Sequence, residues 1–127
     1  MPDDLRRFRE LVKGAEMVFI ERAHSMPKQG VISTFTYAQH FGELLGVLID
    51  TPHTLVPPHV WQRQIHAGCS TKWSPKKRSL EAARRLFPGE SFIATPRSKV
   101  PHMGMVESAL IALFGVRMLA GAHGGAA

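Results

Sequence analysis

The chain of 127 residues has a single cysteine, Cys69, so no disulfide can form within it. A lone thiol suits a reducing compartment, and a cytoplasmic setting is expected. Its apolar residues form no run approaching the ~20 that a membrane-spanning helix needs, so no membrane partner is expected. The first residues, Met1-Pro2-Asp3-Asp4-Leu5-Arg6-Arg7, are polar and charged where a signal peptide would be apolar. Acids are also scarce: Asp and Glu number 10 against 16 Lys and Arg, giving a formal net charge of +6.

That excess is uneven. Between Pro57 and Pro101 the basic residues are Arg63, Lys72, Lys76, Lys77, Arg78, Arg84, Arg85, Arg97 and Lys99, opposed only by Glu81 and Glu90. Such a segment suits a polyanion, nucleic acid first among them, although a solvated basic helix would have the same composition. Trp61 and Trp73 flank or interrupt it as candidate contacts or as core residues. The 44% apolar share is ordinary for a globular protein. One domain is expected over residues 1–119, with a flexible tail at 120–127.

Asp3 or Asp4 caps a short helix over Leu5–Lys13, with Leu5, Phe8, Leu11 and Val12 as its apolar stripe and Gly14 as its stop. Met17–Glu21 is an apolar run ending in an acid, which reads as a strand buried on both faces. Glu21 then lies at the strand's carboxyl end, where open α/β sheets bind ligands. A carboxylate there needs a partner, whether Arg22, water or a divalent metal. After a Met26–Gly30 loop, Ser33 or Thr34 caps a helix reaching about Asp50. Its Gly42 and Gly46, one turn apart, suggest that another backbone passes close by.

Thr54–Val56 is a second inner strand cut short by Pro57-Pro58. Val60–His66 forms a helical turn or more, and Ser74-Pro75 opens a helix that runs to Phe87. Phe92–Ala94 is a candidate short strand, and His102–Leu119 a final helix. The order predicts an α/β protein with a mainly parallel central sheet flanked by helices. His59, His66 and Cys69 are irregularly spaced and lack a second cysteine, which argues against a zinc site.

Several of these stretches together resemble the RuvC-type Holliday-junction resolvases, closest to their phage and organellar branch. Val18–Glu21, His24, Pro27-Lys28-Gln29-Gly30 and Ser33-Thr34-Phe35 are similar to the family's second catalytic-acid segment. Phe35–Ala38 with Gly42 and Gly46 resembles the glycine-punctuated helix that follows. Val56-Pro57 with Trp61, then Lys76–Ser79 with Ala83 and Leu86–Pro88, continue in order, although Gln62 stands where the family often has lysine. Pro101–Ala112, containing His102, Met103, Gly104 and Glu107, resembles the closing catalytic helix. The resemblance covers about residues 4–117.

It implies an RNase H-like fold, truncated here because the family's first hairpin has no counterpart, and a homodimer gripping four-way DNA junctions. It also implies four acids holding two Mg²⁺ (or Mn²⁺) ions for phosphodiester hydrolysis, one activating water and the other steadying the leaving oxygen. Glu21 and Glu107 fall on two of those acids as the expected catalytic and metal-binding remnant. Met103 stands where the family has an aspartate, and a thioether is a poor ligand for a hard cation. The fourth acid belongs to a first strand that the chain does not match. His102 is a further candidate metal donor, and His24 lies three residues after Glu21.

The resemblance therefore implies a catalytically impaired, DNA-binding pseudoenzyme. Lys72, Lys76, Lys77, Arg78, Arg84, Arg85, Arg97 and Lys99 are its expected DNA contacts. One alternative is an active Mg²⁺-dependent, structure-specific endonuclease completed by a dimer mate or another polypeptide. Another is an interaction module that binds no nucleic acid. Without the family's first strand, Val18–Glu21 would form an apolar sheet edge that needs covering, a second copy being the favoured cover.

Overall fold

The computed structural model describes residues 3–22 and 30–124. His24 and most of the expected Met26–Gly30 loop lie outside the described residues. The chain divides into two compact units, Met1–Pro57 and Pro58–Ala127. It mixes helix and strand, broadly an α/β arrangement, with a two-stranded parallel sheet.

In the first unit, α1 spans Asp3–Val12, with Asp3 and Asp4 in its first turn and Arg9 in its last. Each charge opposes the sign of the helix dipole at its end, which favours the helix. Leu5, Phe8 and Val12 are partly buried, but Leu11 is 74% exposed, so the stripe is narrower than its sequence suggests. Gly14 takes φ +75°, the left-handed conformation that ends the helix.

β1 (Val18–Glu21) and β2 (His53–Val56) pair in parallel, Val18 opposite His53 and Glu21 opposite Val56. The ladder is extended by Val18 N–H to Pro52 O at 2.9 Å and by Arg22 N–H to Val56 O at 2.8 Å. Parallel neighbours need a long crossover, and α2 (Val31–Val47) lies within it. The expectation of two deeply buried inner strands is corrected. All four β1 residues are only partly buried, and in β2 Val56 alone is buried. Among the described residues each strand has the other as its one strand neighbour, so neither is an inner strand.

α2 starts earlier than expected. Its cap is Gly30, in extended conformation and without a side-chain cap bond, so Ser33 and Thr34 fall inside the first turn. Thr34 N–H already donates to Gly30 O at 2.9 Å. The close approach expected at Gly42 and Gly46 is absent: a Cβ at either position would meet nothing within 4 Å among the described residues. Val31, Ile32 and Phe35 at the start of α2 are exposed.

The second unit holds α3 (Pro58–Ile65), α4 (Pro75–Leu86) and α5 (Met103–Gly124). Both α3 and α4 pack on α5. The unit's buried apolar side chains are Trp61 and Ile65 from α3, Ala82 and Ala83 from α4, and Val106, Leu110, Ile111 and Phe114 from α5. Small residues on α4 let that helix lie close to its neighbour, while α3 and α5 supply the bulk.

α4 begins as its sequence predicts. Ser74 is the cap, its Oγ accepts from Lys77 N–H at 3.2 Å, and Pro75 opens the helix. Ser74→Ala removes that acceptor and is expected to cost about 1 kcal/mol, read as a lower urea midpoint.

Three further expectations are revised. Residues 92–94 form no strand, because Phe92 adopts φ +56°, which breaks an extended run. Its ring instead meets Phe87 edge-on, with centroids 6.1 Å apart. Where a tail was expected from residue 120, α5 continues to Gly124. Within α5, Met103–Gly121 has a mean hydropathy of 1.6 and is long and apolar enough to cross a membrane by length and composition. The expectation that no segment approaches that length is therefore corrected. Core helices of globular proteins meet the same criterion, and here Val106, Leu110, Ile111 and Phe114 are buried.

Candidate nucleic-acid interface

The basic residues of the second unit gather around the start and end of α4. Lys72 lies in the turn before the helix, Lys76, Lys77 and Arg78 in its first turn, and Arg84 and Arg85 in its last. Ser79, Ala82 and Ala83 occupy the buried face, so helical spacing turns the long cations away from the core. Lys72, Lys76, Lys77, Arg84 and Arg85 are exposed, and Arg78 is half-buried. Arg97 and Lys99, also exposed, lie in the connector before α5.

Few acids oppose this charge. Among the described residues the ion pair in this stretch is Arg84 Nη1 to Glu81 Oε1 at 2.7 Å. Lys77 Nζ sits 4.7 Å from the centroid of the partly exposed Trp73 ring, a cation–π contact. Arg78 Nε donates to Trp73 O at 3.1 Å, fixing the turn against the helix. The first turn of α4 holds no acid. Three cations there oppose the helix dipole, whose amino-terminal end is itself positive. The resulting potential favours an anion in front of the helix.

The two tryptophans divide. Trp73 stays with the basic surface, whereas Trp61 has no exposed area and so makes no contact with a nucleic acid. Trp61 instead meets His66 edge-on at 5.5 Å.

The residues expected to hold metal lie on β1, on α5 and in the connector just before α5. Glu21 ends β1 in the first unit and is partly buried. Glu107 lies on α5 in the second unit, partly buried and one turn after Met103, with which it shares a helical face. His102 immediately precedes α5 and caps it, its Nδ1 accepting from Met105 N–H at 3.3 Å. That bond leaves Nε2 as the ring nitrogen available to carry a proton or meet a ligand. A Cβ at Gly104 would come within 2.9 Å of His102 Cε1, so a larger residue there would push the capping ring aside. Among the described residues, no group of three or more His, Cys, Asp or Glu comes together as a metal site. The donors expected from the sequence, the Glu21 and Glu107 carboxylates and the His102 imidazole, are too few for a pair of hard divalent ions.

Sequence reasoning missed one buried polar pair. His66 and Ser79, both almost fully buried, share a hydrogen bond of 2.8 Å between Nε2 and Oγ, tying the end of α3 to α4. The pair lies 13 residues apart with no local pattern to announce it. Cys69 Sγ contacts Arg78 O at 3.7 Å. His66 and Cys69 thus each have a protein partner.

Burial, and then the nearby Arg78 charge, lower the pKa of His66 from its ordinary 6.5. The fold prefers this imidazole neutral, while the unfolded chain protonates it near the ordinary value. Stability linked to His66 is therefore complete above about pH 6.5 and declines as pH falls below it. Unfolding midpoints at successive pH values are expected to fall on acidification, and less steeply for His66→Gln.

No family model matches the chain, and none of the curated proteins compared with it gives a match.

Proposed function

We infer that the chain binds branched or duplex DNA as a homodimeric, RNase H-like relative of the RuvC-type junction resolvases, and that its own cleavage activity is impaired. The observation that carries the binding is the first turn of α4, where Lys76, Lys77 and Arg78 accumulate without an acid and Lys77 stacks on Trp73. Cations at that end of a helix each cost a few tenths of a kcal/mol or more, roughly 0.3–1. A phosphate in front of them reverses the sign of that term. Lys72, Arg84, Arg85, Arg97 and Lys99 extend the surface on which a polyanion settles.

Impaired cleavage rests on the donor set. Of the acids that the resemblance calls for, this chain matches Glu21 and Glu107, and Met103 supplies sulfur in place of an oxygen. Mg²⁺ or Mn²⁺ would bring Lewis acidity and an activated water, but no step is derived through it with those donors.

One observation favours a second reading, in which a dimer mate or another polypeptide completes the nuclease. β1 carries Glu21 at its carboxyl end and has β2 as its one strand neighbour among the described residues. Exposed Val31, Ile32 and Phe35 on α2 favour a covering partner for the same unit.

Incubating the protein with a labelled four-way junction, with and without Mg²⁺ or Mn²⁺, separates the readings. A retarded complex without cleaved strands is expected. Metal-dependent nicking that disappears in Glu107→Gln supports the completed nuclease, and absence of any complex at low salt supports an interaction module instead.

A further inference from the structure

α3 carries His59, Gln62 and Arg63 at spacings of three and four, and His66 continues the series one turn on. The helical ladder extends that far, because His66 N–H donates to Gln62 O at 2.8 Å. This polar stripe, the 67–69 loop, Thr71 and Arg78 outline an open cavity of about 360 Å³. That volume lies at the small end of the range for ligand sites. Two arginines are among its lining residues, and no Asp or Glu is.

The loop that closes the cavity is braced from outside. Gly68 takes φ +89°, which a side chain would resist, and Arg85 Nη2 donates to Ala67 O at 3.4 Å. Arg78 spends its Nε on Trp73 O, which fixes the guanidinium plane. A planar, fixed guanidinium is the preferred partner for tetrahedral oxyanions, which it meets through paired N–H donors. Gln62 and Thr71 add neutral donors, and His59 a ring nitrogen, around the same space.

We propose that this cavity between α3, the 67–69 loop and α4 is a phosphate-binding site, with Arg63 and Arg78 as its cationic clamp. The site shares only Arg78 with the exposed α4 surface and does not depend on that surface binding DNA. Its phosphate comes either from a nucleic-acid backbone or from a small phosphorylated molecule.

Inorganic phosphate titrated into the full ¹⁵N-labelled chain, at constant ionic strength set with chloride, tests the site. Saturable shifts are expected at the Gly68, Cys69 and Thr71 amides. Arg63→Gln, an exposed position whose change leaves the fold intact, is expected to weaken that binding about tenfold, and Arg63→Lys less. A second arm asks whether phosphate displaces a labelled DNA duplex. Displacement assigns the site to a backbone phosphate, and saturable binding without displacement assigns it to a small phosphorylated molecule. Shifts that never saturate, or equal phosphate affinity in Arg63→Gln, overturn the proposal. Duplex binding that persists without saturable phosphate shifts overturns it too, and leaves the α4 reading standing.

Discussion

Raising salt from about 50 to about 200 mM is expected to weaken binding of a labelled duplex by roughly 10²-fold. Each phosphate neutralised by Lys or Arg releases condensed counterions, so the logarithm of affinity falls linearly with the logarithm of salt. The exposed cations nearest α4 are Lys72, Lys76, Lys77, Arg84 and Arg85. Arg84 is already engaged by Glu81 and contributes less. Four to five contacts give a slope of about −4, at roughly −0.9 per contact. A slope near zero, measured by fluorescence anisotropy, would mean that these charges serve solubility alone.

Trp61→Ala is expected to unfold the second unit under mild denaturant. The side chain has no exposed area and belongs to the core in which α3 packs on α5. Truncating a buried tryptophan costs about 3–5 kcal/mol, a large part of the ~5–15 that holds a domain of this kind together. The His66 ring loses its edge-on neighbour at the same time. Urea unfolding followed by circular dichroism measures the effect, and Trp61→Phe is expected to recover most of it. If Trp61 served as a DNA contact, the alanine variant would keep its unfolding midpoint and lose only affinity.

The opposite fates of the two tryptophans show where sequence is informative and where it falls short. Trp73 precedes a helix start written in local chemistry: a serine acceptor, a proline without an N–H, then cations. Ser74 and Pro75 act within one turn, so their meaning does not depend on the rest of the chain. The β1 run was legible for a related reason, since Val18, Phe19 and Ile20 are residues that favour a pleated surface. Trp61 carries no such local mark. Whether a tryptophan between Val60 and Gln62 turns inward depends on α5, some forty residues on.

The misses have the same origin. Ser33 and Thr34 are good caps in isolation, but the chain leaves its extended conformation at Gly30 and the helix is already formed when it reaches them. Phe92 lies in an apolar triplet that suggests a strand, yet its positive φ and its contact with Phe87 make a corner instead. Gly42 and Gly46 suggested a close crossing, but their spacing alone brings nothing near them. The His66–Ser79 bond joins two helices and so needs the tertiary structure to be seen. In contrast, the stripe His59, Gln62, Arg63 and His66 was present in the sequence as a helical period. Only His59 and His66 of that stripe were weighed, with Cys69, as zinc ligands, while Arg63 and Arg78 were counted among the cations that suit a polyanion.

The position of Glu107 on α5, one turn from Met103, follows from helical periodicity and agrees with the sequence expectation for that segment. Glu21 at the end of β1 likewise follows from the strand pattern. Chemistry at either depends on donors beyond the two carboxylates.

Lys72→Gln, Lys76→Gln and Lys77→Gln, combined in one chain, remove exposed charge without touching the buried face of α4 or the Ser74 cap. Anisotropy of a labelled four-way junction at fixed low salt then tests the central claim that this end of α4 holds DNA. The triple variant should bind at least about tenfold more weakly, with its unfolding midpoint no lower than the parent's and its salt slope reduced by about 3. Affinity and slope equal to those of the parent chain would contradict the claim.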